Sequence, residues 1–214
     1  MKTETKVLGI ILIITIALLF GGIFLLSRNS SGSAEERVAQ IDYTKGQKIG
    51  SDSAKVKLVE FSDFQCPACR AAEPVLQRIR STYSDRIQLI YRHFPLYQHQ
   101  NARRAAYLSE AAGQQGKFWE VHDKIFETQT QWSNLGNNEA TVLFLDLAKQ
   151  LGLDEDKVKQ EISADTFKTL IDTDIAEGRR LGVNSTPTFF LNGRKLNLQN
   201  FNDLVTVIDE ELKK

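Results

Sequence analysis

Residues 59–70 read Val59-Glu60-Phe61-Ser62-Asp63-Phe64-Gln65-Cys66-Pro67-Ala68-Cys69-Arg70, an apolar run that ends on two cysteines three positions apart. The β-branched and aromatic residues over 55–61 predict a strand, and the stretch from Cys66 to about Tyr83 predicts a helix with Pro67 in its first turn. A cysteine at that junction sits where backbone N–H groups and the helix dipole both favour negative charge. The thiolate, not the thiol, attacks a disulfide, so lowering its pKa is what a redox cysteine needs. Cys66, at the strand end, is the expected nucleophile. Cys69, one turn inside, is the expected resolving thiol, and Pro67 and Ala68 complete the active-site motif. The chain has only these two cysteines, and a bond between them closes almost no loop, so it can do little structural stapling.

Working outward, 87–94 predicts a second strand, stopped by Pro95. From about 98 to 181 the periodicity turns helical, with segments expected at 99–113, 117–128, 138–151, 155–162 and 166–181. Phe118, Trp119 and Phe126 are candidate core residues of that block. Residues 188–191 predict a strand, Asn192-Gly193 a two-residue hairpin turn, and a short strand near 195–198 and a helix over 200–212 finish the chain. This order places a globular α/β domain over 46–214.

Residues 7–26, VLGIILIITIALLFGGIFLL, are free of charge over twenty positions. That length suits a transmembrane helix and exceeds the usual apolar region of a cleaved signal, although the small residues at 31–34 leave a peptidase site open. A buried core helix would not normally be so uniformly apolar. Lys2 and Lys6 before the span favour a cytoplasmic tail at 1–6 and an exported body. Residues 27–45, rich in serine and charge, predict a flexible stalk. Lysine plus arginine balances aspartate plus glutamate at 27 each, which leaves no basic footprint for nucleic acid.

A C-x-x-C pair is also half of a zinc site. No second such pair follows, and His93, His99 and His122 are too scattered to claim, so neither metal nor cofactor is expected. For His93 a satisfied core histidine is favoured over a position flanking the cysteines. Together with YRHFPL (91–96), GKFWEVHDKIF (116–126) and GVNSTPTFFLNG (182–193), the VEFSDFQCPACR stretch resembles the DsbA-like group of thioredoxin-fold proteins over about 46–214.

That resemblance implies a thioredoxin-like fold with an inserted helical block at about 98–181, preceded here by one transmembrane helix. It implies a cis-proline loop at Thr186-Pro187 that pairs with substrate chains. It also implies that Glu60, costly inside an apolar strand unless paired or protonated, relays protons to the resolving cysteine; a salt bridge to Lys57 or a face open to water is the alternative. Pro74 matches the kink of the family's motif helix. The implied activity is oxidation of exported protein thiols, with re-oxidation by a DsbB-type or VKOR-type membrane protein. Alanine stands where the archetypal member carries a histidine between its cysteines, which argues against a strongly oxidising potential. Reduction or isomerisation of disulfides is the alternative activity, and a chaperone-like binding module the alternative of another class.

Overall fold

A computed structural model describes residues 38–214, together with Thr15, Ile16 and Gly21, which are helical. The expected tail, most of the expected span and stalk residues 27–37 lie outside the described residues. Among the described residues no helix is long and apolar enough to cross a membrane.

The strand expected before the cysteines is β2 (Val56–Ser62), and it lies at the centre of a five-stranded sheet. Its neighbours are β3 (Ile87–His93), parallel, and β4 (Thr188–Leu191), antiparallel. The edges are β1 (Gln47–Gly50) on β3 and β5 (Arg194–Lys195) on β4, both antiparallel. β1 has no signature in the sequence: its four residues, QKIG, carry a single apolar side chain, and pairing to β3 alone defines it. At the β4–β5 turn, Asn192 and Gly193 hold φ of 49° and 81°, the left-handed pair that a two-residue hairpin demands. β5 begins one residue earlier than expected and is only two residues long.

Both faces of β2 are buried, and alternation along the strand sorts its side chains between two cores. Val56 and Leu58 pack with Leu76 and Ile79 of helix α1 (Pro67–Thr82) and with Leu204 and Ile208 of helix α8 (Asp203–Glu211). Val59 and Phe61 turn the other way, into a larger core shared with the helical block. Glu60, in step with Val56 and Leu58, therefore points beneath α1. The helical block lies between β3 and β4 and comprises α2 (Ala102–Gly113), α3 (Phe118–Glu127), α4 (Gln129–Trp132), α5 (Asn137–Gln150), α6 (Glu155–Ser163) and α7 (Lys168–Arg180). Five of these match the expected segments to within a few residues; α4, a single turn, was not anticipated. Phe118 and Phe126 are core, while Trp119 is only partly buried and donates its indole N–H to the Lys48 carbonyl at 3.0 Å.

The described part of the expected stalk, 38–45, is packed rather than free. Ala39 N–H donates to the Gly193 carbonyl at 2.8 Å, Ile41 is buried, and Asp42 N–H donates to Glu177 at 3.1 Å. Serine and charge drew the boundary at 45, but the burial of Ile41 and four long-range hydrogen bonds, the third from Arg180 to the Gln40 carbonyl and the fourth from Arg92 to the Asp42 carbonyl, tie this strip down.

The block meets the sheet closely at Gly178 in α7. A Cβ there would come within 2.8 Å of the Phe94 ring and 3.1 Å of Phe61. Alanine would gain about 0.5–1 kcal/mol of helix stability over glycine, but overpacking a core costs about 1–3 kcal/mol. Gly178→Ala is expected to lower the urea midpoint; a raised midpoint would show that the aromatic pair yields freely.

Candidate functional site

The loop between β2 and α1 is held from several sides. Asp63 Oδ1 accepts the Gln65 N–H at 2.7 Å, and Oδ2 accepts the Leu96 N–H at 2.8 Å and contacts His99 Nδ1 at 2.7 Å. Gln129 of α4 donates to the carbonyls of Phe64 and Cys66, and the Gln65 amide donates to Ser133. The unanticipated turn α4 thus clamps the approach to the cysteines.

Cys66 is the N-cap of α1, with extended backbone (φ −73°, ψ 122°), and its N–H donates to the Asp63 carbonyl at 3.0 Å. Its Sγ donates to the Thr186 carbonyl at 3.3 Å, and the Thr186–Pro187 peptide is cis. Both cysteines are free thiols. They differ in environment: Cys66 retains 7% exposure, whereas Cys69 has none.

Their acidities part accordingly. A hydrogen bond from the Cys69 thiol brings Cys66 down to about 5 against the opposing effect of burial, with further help from the Thr186 hydroxyl and the backbone N–H groups of Cys69 and Ala68. The Thr186 Oγ1 is buried and partnerless while Cys66 carries its proton. Cys69 is pushed well above the ordinary thiol range by burial, by its bond to Cys66 and by the charge of Glu60. Thiolate character therefore collects on the one sulfur that reaches the surface.

Glu60 is 1% exposed, which excludes the water-facing alternative, and Lys57 instead donates to Gln88 at 3.1 Å. Burial raises Glu60 to about 7 against a hydrogen bond from Ser62 and the charge of Arg80, which suits proton exchange near neutral pH. Its cross-strand neighbour Tyr91 is buried with an unpartnered hydroxyl.

Sequence reasoning passed over Glu73, Asp63, His99 and His122. Glu73 had a signal: four residues after Cys69, it shares that residue's face of α1. Burial holds it up at about 9, helped by the charge of Glu60. His122 comes from α3 and had no local signal. His93 is a buried, satisfied histidine, 2.8 Å from Glu110. Glu73, His122 and Asp123 each offer one metal-ligating atom, all within 4.8 Å of one another. Arg80 already stands 2.6 Å from Asp123, so this cluster has its own cation.

A groove of about 1280 Å³, lined by Phe94, Leu96, Tyr107, Val183, Ser185 and Thr186 among others, reaches Thr186, whose carbonyl accepts from Cys66 Sγ.

Comparison with known proteins gives the same picture. The family described as Thioredoxin matches residues 43–210. A probable disulfide bond formation protein D of Bacillus anthracis is 30% identical over all of both chains. The oxidised BdbD structure from Bacillus subtilis superposes with a TM-score of 0.73, covering 83% of this chain and 98% of that one; at 24% identity this likeness speaks for the fold alone. A thioredoxin-like oxidoreductase from Silicibacter pomeroyi is 26% identical with a TM-score of 0.64, covering 78% of this chain and 92% of that one. With its paired thiols and this ancestry, the chain belongs to the thioredoxin family, as a DsbA-like thiol:disulfide oxidoreductase of disulfide bond formation.

Proposed function

We propose that the protein oxidises thiols of exported proteins, with Cys66 as the exchanging sulfur, Cys69 as the resolving thiol and Glu60 as the proton carrier for Cys69. In the oxidised protein a substrate thiolate attacks Cys66 Sγ and a mixed disulfide forms. The Cys66–Cys69 bond breaks, and the electron pair leaves on Cys69, which takes a proton from Glu60. A second substrate thiolate then attacks the substrate sulfur of the mixed disulfide, releasing Cys66 as thiolate and the substrate as a disulfide. Pro67 and Ala68 keep the rim of the thiolate small and apolar, while Thr186 and Pro187 present the backbone against which the substrate chain lies.

The observation that carries the direction is the anion-favouring setting of Cys66. Stabilising the thiolate stabilises the reduced protein, and a stabilised reduced form makes the corresponding disulfide the stronger oxidant. A value of about 5 lies between the nucleophilic thiols of thioredoxin, about 7, and DsbA, about 3.5. Residues 7–26 would tether the domain outside the membrane, with 1–6 in the cytoplasm and 27–37 as the spacer. Tethering raises the effective concentration of the domain near a membrane re-oxidant of the DsbB or VKOR type.

Equilibration with glutathione buffers tests the direction. The expected potential lies between about −270 mV, the thioredoxin value, and about −120 mV, the DsbA value. A value at or below the first would make the protein a reductase.

A further inference from the structure

Four buried side-chain atoms of residues near Cys69 have no hydrogen-bond partner: Glu60 Oε1, both carboxyl oxygens of Glu73, four residues after Cys69 on α1, and His122 Nε2. Buried polar atoms are nearly always paired, so a run of orphans calls for an explanation. Glu73 Oε1 lies 3.8 Å from His122 Nε2, one small side-chain adjustment short of a hydrogen bond. On the far side of the same ring, His122 Nδ1 is 2.8 Å from Asp123 Oδ1. The Asp123 side chain is 39% exposed, whereas those of Glu73 and His122 are 6% and 2%. The Glu73–His122–Asp123 succession thus runs from the face of α1 that carries Cys69 to water. None of Glu60, Glu73, His122 and Asp123 lines the groove that reaches Thr186 beside Cys66.

We propose that Glu73, His122 and Asp123 extend the proton path of Glu60, carrying protons between Cys69 and solvent by an exit separate from the groove at Thr186. The proposal rests on Glu60 serving Cys69, as argued above, and assigns Glu73 and His122 as positioning residues for that proton traffic.

The protonation states suit the task. Glu73, high at about 9 through burial and the charge of Glu60, is a neutral carboxylic acid near pH 7. His122, lowered to about 4 by burial against the pull of Asp123, is a neutral imidazole. Nδ1 beside a carboxylate takes the ring proton, which leaves Nε2 as a bare acceptor facing the Glu73 hydroxyl. The charged and titratable groups around this pair are Glu60 from β2, Tyr91 and His93 from β3, Cys69 and Arg80 from α1, and Asp123 on α3.

The proton count closes. On re-oxidation Cys69 loses its proton to Glu60, Glu60 passes one to Glu73, and Glu73 gives its own to His122 Nε2. His122 releases the Nδ1 proton through Asp123 to water. The ring is left as the opposite tautomer, protonated on Nε2 and bare on Nδ1. Substrate oxidation needs the reverse: the Nε2 proton moves inward through Glu73 and Glu60 to the departing Cys69 thiolate, and water restores Nδ1 through Asp123. One proton out and one proton in per cycle return the ring to its starting state. The Nδ1-protonated tautomer favoured beside Asp123 is the one set for the outward step.

The test is stopped-flow measurement of the Cys69-dependent steps, in water and in deuterium oxide, on the full chain and on Glu73→Gln and His122→Asn. Both variants are expected to slow closure of the Cys66–Cys69 disulfide about tenfold or more and to enlarge its solvent isotope effect. Alkylation of Cys66, which needs no proton from Cys69, should keep its wild-type rate. A purely structural role would shift the unfolding midpoint without changing the isotope effect. Should the buried variants fail to fold, Asp123→Asn at the solvent end carries the same expectation. Wild-type closure rates and isotope effects in the folded variants would overturn the relay while leaving exchange at Cys66 intact. Exchange persisting in Cys66→Ser would instead overturn the underlying reading.

Discussion

Replacing Cys66 by serine is expected to abolish disulfide transfer, lowering the oxidation rate of a reduced substrate by about a thousandfold or more. A serine hydroxyl forms no disulfide with Cys69 and is not ionised near neutral pH, so both the stored oxidising bond and the leaving thiolate disappear. Cys69→Ser should behave differently. Cys66 would still attack an added disulfide, but nothing inside the protein could resolve the product, and a mixed disulfide should accumulate. Cys69 has no exposed surface, so it cannot take over from Cys66. Alkylation of the reduced protein should titrate with a midpoint at about pH 5, the value set chiefly by the Cys69 hydrogen bond. Removing that donor in Cys69→Ala should move the midpoint upward. The sign for stability follows from the depressed pKa: the unfolded thiol titrates at about 8.5, so the stabilisation of the reduced fold is complete above that pH and is lost as pH falls towards 5. Urea midpoints of the reduced protein between pH 5 and 9 check this slope, and equal activity in wild type and Cys66→Ser would end the assignment.

The parts of this site that share one stretch of chain were legible in the sequence. Glu60, Cys66 and Cys69 lie within ten residues of one another, and the helix and strand periods fix which way each points. Thr186-Pro187 was legible only through resemblance to a family, because nothing local shows that residue 186 lies 3.3 Å from the sulfur of residue 66. His122 was set aside for the same reason: its neighbour Glu73 lies on another helix, and a lone histidine carries no register. Edge strand β1 was missed because its existence depends on hydrogen bonds to β3 rather than on its own side chains. The strip at 38–45 read as stalk because its composition is polar, while three of its anchors, Gly193, Glu177 and Arg180, lie more than a hundred positions away and the fourth, Arg92, lies on β3. Composition reports solvent preference, and long-range hydrogen bonds can override it.

The largest stability effect is expected at Arg92, which no sequence pattern singled out. Its side chain has no exposed surface; Nε donates to Asp174 at 2.7 Å and a terminal nitrogen to Glu177. A third bond reaches the Asp42 carbonyl at 3.5 Å, and the guanidinium lies 5.5 Å from the Phe61 ring centre. One cation thus joins β3, helix α7 and the strip at 38–45. Burial already raises Asp174 despite Arg92 and His93 nearby, so this carboxylate depends on its partner. Arg92→Met keeps most of the volume but strips both carboxylates of their buried cation, leaving Asp174 the His93 N–H at 3.0 Å and Glu177 the Asp42 N–H at 3.1 Å and Arg180 at 3.7 Å. Breaking a buried pair in this way costs about 3–5 kcal/mol, on the order of 10 °C in Tm for a domain of this size. Truncation of packing and loss of charge can be separated, because adding Asp174→Asn and Glu177→Gln to Arg92→Met removes the uncompensated charge without restoring the cation. The triple variant should recover a substantial part of the loss. If it is no more stable than Arg92→Met, the cost lies in packing around Phe61 rather than in the stranded carboxylates. Folded Arg92→Met should also keep its Cys66 alkylation midpoint at about pH 5, since Arg92 is not among the groups that set it.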